Sequence, residues 1–251
     1  MMLRYFVRFA WSVIFLIGAN CSAHSQPFQT ALEKLETGNA LFRQGDYKSA
    51  IDAYSQAIEL DTNLVQAYNN RGNAYFRLNQ FINALLDYDE VVKRTPKDAD
   101  AYLNRGNVYA TIGDHWRAIR DYNKAIQLNP KHEEAYYNRA LTYFSLKNYL
   151  KAREDMAQCV QVNPSNAEAN NYLGICLYFE GKVAEALSYI EKAIALAPQY
   201  AEAYYHRATV YYGEHMWQQA LQDIEKALQL APNIAEYNAL KKEIEKQLQK
   251  N

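Results

Sequence analysis

The chain has 251 residues, and its 27 basic and 28 acidic side chains leave a formal charge of -1. That balance supplies no broad positive field to neutralise phosphates and argues against a nucleic-acid partner. Apolar residues make up 49% of the chain, with only 9 Gly and 6 Pro, which suits a helix-rich protein rather than a disordered one. Its 22 tyrosines are the anomaly of the composition.

Residues 1–23 read as a sorting signal. Arg4 and Arg8 give a basic start, Phe9 to Ala19 is mostly apolar, and Cys21, Ser22 and Ala23 supply the small residues that a signal peptidase needs. The apolar run is short for a membrane span. Three outcomes stay open: a cleaved export signal, a retained anchor, or a lipid on Cys21, the last disfavoured by Asn20 just before the cysteine. The expected location is therefore the periplasm or cell envelope, with membrane contact only through residues 1–23 if they are retained or lipidated. Residues 24–30, with Pro27, form a linker.

From Ala31 the chain repeats itself. AYNNRGNAYF at Ala67 returns as AYLNRGNVYA at Ala101, AYYNRALTYF at Ala135 and AYYHRATVYY at Ala203, spaced by 34 residues or twice 34. Six blocks follow, 31–64, 65–98, 99–132, 133–166, 167–200 and 201–234, and five prolines from Pro96 to Pro232 fall 34 apart near the block ends. Apolar and aromatic residues three and four apart predict two short amphipathic helices per block. Gly45, Gly113 and Gly181, with Asn79 and Lys147 at equivalent places, mark the turn between them. Residues 235–251 predict a capping helix with a narrow apolar stripe of Tyr237, Leu240, Ile244 and Leu248.

The pattern of Tyr102, Gly106, Tyr109, Ala118, Tyr122, Ala125 and Pro130 resembles the tetratricopeptide repeat, over Ala31 to about Ile234. Departures include Lys34, Leu41 and Thr62 in the first block and Asn170 in the fifth. The resemblance implies an all-α, right-handed superhelical solenoid of six helix-turn-helix pairs plus the cap, with peptides bound on its concave surface.

Within the repeated phrase, the arginines separate from the amides. Asp87, Asp121, Asp155 and Asp223 follow Arg71, Arg105, Arg139 and Arg207 by sixteen residues, and the two blocks without the arginine also lack the aspartate. That joint occurrence predicts a partly buried ion pair within each repeat. On a helical wheel, Asn69, Asn70 and Asn73 point away from the partner helix. Equivalents of Asn70 are Glu36, Asn104, Asn138, Tyr172 and His206. An amide offers both a donor and an acceptor to a peptide group. The resemblance thus implies a two-part groove, with an amide-rich half from Asn39 through Asn69, Asn70, Asn73 and Asn104 to Asn107. Its aromatic half contains Tyr137, Asn138, Phe144, Asn171, Tyr172, Tyr178, Tyr205, His206 and Tyr212. Tyrosine as a mere helix filler stays open beside it. The carboxylate clamp of chaperone-binding family members is not reproduced, because Leu35 and Asp100 occupy its lysine places.

His206 on the proposed groove has a pKa range that can reach neutrality, although a polar contact is the simpler role. Cys159 and Cys176 lie on neighbouring elements, and a disulfide between them stays open. No metal-ligand spacing, nucleophile motif or phosphate loop stands out from the repeat, so the expectation is a non-enzyme without cofactor or metal. The expected partner is a protein or peptide. A carbohydrate-binding or accessory subunit of an envelope enzyme is the alternative, since tyrosines and amides also suit sugar rings.

Overall fold

The computed structural model describes residues 29–250, so the expected sorting signal, its cysteine and most of the linker lie outside the described residues. Among the described residues there are thirteen helices and no strand. In chain order these are α1 (29–43), α2 (Tyr47–Leu60), α3 (Val65–Arg77), α4 (Phe81–Arg94), α5 (Ala99–Thr111), α6 (His115–Leu128), α7 (Glu133–Ser145), α8 (Tyr149–Val162), α9 (Ala167–Phe179), α10 (Val183–Leu196), α11 (Ala201–Gly213), α12 (Trp217–Leu230) and α13 (Ala235–Leu248). The architecture is that of an all-α repeat protein.

The chain divides into two compact units, one ending at Gly113 and the other starting at Asp114. In the N-terminal unit α2 packs on α3, α3 on α4 and α4 on α5. In the C-terminal unit every consecutive pair from α6·α7 to α12·α13 packs, and α9 also touches α11. Helices of 13 or 14 residues are marginal alone in water, so stacking must supply the stabilising term.

Local chemistry ends each helix at a fixed place. Gly45, Gly113 and Gly181 have φ near +80°, and Asn79, Lys147 and His215 take φ of 58°, 58° and 61°, so a left-handed residue stands every 34 positions between the helices of a pair. Asp46, Asp114 and Asn148 then cap the next helix by accepting the backbone N–H three residues on. Small residues line the helix contacts: Ala50, Ala57, Ala67, Ala84, Ala118 and Ala125 are fully buried.

Glycine allows close approach at several helix contacts, Gly72 and Gly174 among them. A Cβ on Gly72 would stand 3.1 Å from the Tyr88 ring, while one on Gly174 would stand 2.5 Å from Ile190 Cγ1 and 2.8 Å from the Ala186 carbonyl oxygen. The unusual Asn170 also acquires a reason. Tyr102 and Tyr204 donate their hydroxyls to the carbonyls of Pro96 and Pro198, six residues back, and Asn170 Nδ2 donates to that of Pro164 in the same way. The amide replaces the hydroxyl as donor.

At the C-terminal end, Tyr237 and Ile244 of α13 are buried in a cluster with Ala208, Ala220, Ile224 and Ala227.

Candidate functional site

The arginines of the repeated phrase are structural. Arg71 Nε and Nη2 donate to the two carboxylate oxygens of Asp87 at 2.9 and 2.7 Å, and Arg139 with Asp155 and Arg207 with Asp223 repeat the two-point contact. Burial lifts the Asp87 carboxyl above its ordinary value against the pull of Arg71, so the carboxylate depends on that guanidinium for its charge. The remaining donor, Nη1, turns to the residue sixteen positions earlier, on the second helix of the preceding repeat. Arg71 reaches Ser55 Oγ at 2.9 Å, Arg105 reaches Asp89 at 2.9 Å, and Arg139 reaches Asn123. This second arm was not foreseen from sequence, because its partner changes from serine to aspartate to asparagine. Tyr68 and Tyr75 flank the Arg71 guanidinium, with ring centroids 5.7 and 5.9 Å away.

The expected amides of the N-terminal unit form a ladder across its first helices. Asn104 Nδ2 donates to Asn69 Oδ1 at 3.1 Å, Asn69 Nδ2 to Asn70 Oδ1 at 3.4 Å, and Asn70 Nδ2 to Asn39 Oδ1 at 2.8 Å. Tyrosine hydroxyls from the second helices orient two of these amides: Tyr54 donates to Asn39 Oδ1 at 3.1 Å and Tyr88 to Asn73 Oδ1 at 2.6 Å. The tyrosines thus fix the oxygen of each amide; the Asn39 NH2 group in turn lies 3.5 Å from Glu36 Oε1. Asn107 lines the same face.

Two recesses lie on this surface. One, of about 290 Å³, is lined by Asn39, Phe42, Arg43, Tyr54, Asn70 and Asn73. The other, of about 240 Å³, is lined by Asn73, Phe76, Arg77, Tyr88, Asn104 and Asn107, together with Phe42. The six residues of the first recess recur in the second with identical types, each 34 positions later. Phe42, Arg43, Tyr54, Arg77 and Tyr88 were missed as site residues. The phrase N-A-x-F-R, at 39–43 and again at 73–77, was the available signal.

The C-terminal unit brings its expected residues together differently. Phe144 meets Tyr149 and Tyr172 edge-on at 5.4 and 5.5 Å, Tyr137 meets Tyr172 at 6.4 Å, and Tyr205 stacks on Tyr237 at 4.7 Å. Their hydroxyls are largely committed. Tyr137 donates to Glu168 at 2.8 Å, and Tyr172 and Tyr200 donate to the two oxygens of Glu202 at 2.9 and 2.7 Å. Burial and these carboxylates raise the pKa of Tyr137, Tyr172 and Tyr200. The Tyr178 hydroxyl lies against Gly213, Tyr212 packs 5.2 Å from Trp217, and Asn138 is half-buried.

Two expected groove residues are corrected. Asn171 is fully buried and His206 is 6% exposed, so neither is an open ligand contact. His206 Nδ1 bonds Asn171 Oδ1 at 3.0 Å, and the rings of Tyr172 and Tyr205 stand 5.6 and 5.5 Å from the imidazole. A helical wheel of one helix cannot register this, because what covers these positions is the neighbouring repeat. Burial lowers the His206 pKa to about 4, which removes the titration near neutrality. Cys159 and Cys176 are both buried free thiols, with burial pushing each up to about 12.

Family models described as TPR repeat and tetratricopeptide repeat match residues 38–79, 72–113, 99–132, 137–201 and 201–234, together well over half of the chain. The chain belongs to the tetratricopeptide repeat family. No curated protein matches this TPR chain. Among solved structures, it is 26% identical to YrrB, described as a TPR protein with an unusual peptide-binding site, with a TM-score of 0.62 over 76% of this chain and 99% of that one. It is also 26% identical to MamA, with a TM-score of 0.62 over 69% of this chain and 95% of that one. The pilF protein of Pseudomonas aeruginosa, 16% identical with a TM-score of 0.74 over 87% of this chain and 99% of that one, shares the fold. A TPR fold is a protein-interaction scaffold, and the family is generally non-catalytic.

Proposed function

We propose that this TPR chain is a non-catalytic scaffold that holds an extended segment of a partner protein on the first-helix faces, from an exported or envelope-associated position set by residues 1–23. The observation that carries the reading is the pair of amides, Asn39 and Asn73, which line two recesses and whose oxygens are fixed by tyrosine hydroxyls. Amides held in this way suit a peptide backbone, and their orientation is settled before the ligand arrives. In the C-terminal unit the half-buried tyrosines add rigid contact area. A carbohydrate-binding role is the weaker reading, because many of those rings already meet one another and several hydroxyls are bound to glutamates.

The test is site-specific photo-crosslinking in the native envelope. A photoreactive residue replaces Asn73 or Tyr205 on the first-helix faces, or Ile82, which is 77% exposed on a second helix. A partner protein crosslinked from 73 or 205 and not from 82 is the expected result. Crosslinking from 82 alone would overturn the proposal, and capture of glycan in place of protein would favour the carbohydrate role.

A further inference from the structure

The duplicated recess points beyond peptide binding in general, to the chemistry of the segment bound. We infer that the N-terminal unit binds an extended acidic segment carrying two carboxylate side chains about three residues apart. This rests on the peptide-binding reading above and specifies its ligand.

Three observations carry the inference. First, Arg43 and Arg77 line the two recesses, and among the described residues neither takes part in an ion pair. They differ in this from Arg71, which is engaged by Asp87 and Ser55. Arg77 is instead positioned over the Tyr47 ring, 5.3 Å from its centroid. Second, each recess sets a guanidinium beside asparagine side chains, and an acceptor bearing negative charge satisfies such donors most strongly. Glu36, 3.5 Å from Asn39 Nδ2, is a carboxylate at the edge of the first recess, and Asn70 stands in its place one repeat later.

Third, the two sites are copies. The side-chain hydrogen bonds from Asn70 to Asn39 and from Asn104 to Asn69 link neighbouring first helices, and neighbouring helices in general lie roughly 8–10 Å apart, which is the spacing taken for the copies. An extended polyproline-like chain advances about 3.1 Å per residue with three residues per turn, so side chains three apart point the same way at about 9 Å. A single peptide can therefore place one carboxylate in each recess, with Phe42 between them as an apolar contact. The next copy of the phrase has Ala110 and Thr111 in place of phenylalanine and arginine, which limits the array to two.

The experiment is fluorescence anisotropy on the full-length protein with labelled (Glu-Pro-Ala)4 and (Gln-Pro-Ala)4 peptides, each against the wild type, R43Q and R77Q. The variants change exposed side chains, and circular dichroism checks that their helicity is kept. Binding of the glutamate peptide at least tenfold tighter than the glutamine peptide, with a loss of about tenfold in each variant and weakening by salt, is expected. Equal binding of the two peptides, or glutamate binding undiminished in both variants, overturns the acidic segment and leaves the peptide-binding reading intact. Absence of binding by either peptide also overturns it. The peptide-binding reading itself is decided separately, and falls if no protein is crosslinked from residues 73 and 205.

Discussion

The same rung of the repeat is built twice with different outcomes. Asn69 and Asn104 in the N-terminal unit stand at the repeat positions that Asn171 and His206 occupy in the C-terminal unit, and each pair is joined by one hydrogen bond of 3.0 or 3.1 Å. The first pair remains half-exposed beside two recesses, whereas the second is buried under tyrosine rings. One backbone register thus serves an open, donor-rich face or a sealed aromatic one. The difference lies in what stands beside the rung rather than in the rung.

The comparison is tested hardest at two of the helical glycines, Gly72 and Gly174. Gly174→Ala drives a methyl into Ile190 and a backbone carbonyl, and should lower stability by about 2–3 kcal/mol, whereas Gly72→Ala meets only a ring face, gains alanine's better helix propensity and should change stability by less than about 1 kcal/mol. Urea midpoints with unchanged slopes would measure both, and equal midpoints would show that the two pairs pack alike.

Next in size is a pH effect confined to the sealed rung. His206 has a folded pKa near 4 against an ordinary value of 6.5, so its stabilising contribution is full above 6.5 and is lost as pH falls toward 4, by about 3 kcal/mol. Protons bind the unfolded state first over that window. His206→Asn copies the rung of the N-terminal unit, and denaturation curves at pH 7 and pH 4.5 should show most of this dependence removed.

A smaller effect belongs to the ion pairs. Arg71→Met should cost about 2 kcal/mol by leaving Asp87 buried without its partner, and adding Asp87→Leu should recover more than half of it. The fifth repeat already carries such an apolar exchange, with Leu173 buried and Tyr189 packed against the same cluster. No recovery in the double variant would mean that the pair itself adds stability. Least of all, Lys147→Gly should stabilise the C-terminal unit by about 0.5–1 kcal/mol, because its φ of 58° suits glycine, as Gly45 already shows in the N-terminal unit. Thermal midpoints would resolve it.

The all-α repeat class was legible because its causes are local and periodic: apolar residues three and four apart, turn residues at 45, 79 and 113, and a proline near the end of five of the six blocks. The pairing of Arg71 with Asp87 was legible from joint presence and absence within one chain. What escaped was set by neighbours in space. Asn171 and His206 read as outward because a wheel describes one helix, and Ser55 as a second partner of Arg71 depended on a neighbouring repeat. Arg43 and Arg77 escaped for another reason: nothing in the period itself sets their phrase apart, and only the recesses distinguish it.

That second arm of the arginine has a bearing on how the array comes apart. Arg71 clasps Asp87 within its own hairpin and Ser55 in the hairpin before it, so the same side chain serves both the intrinsic stability of a repeat and its coupling to the previous one. Opening of the N-terminal unit at that junction breaks the Ser55 contact and leaves the Arg71–Asp87 pair newly open to solvent, so each hairpin weakens the other as it leaves. Amide protons of α2 and α3 should therefore exchange with solvent in a single opening event rather than in succession.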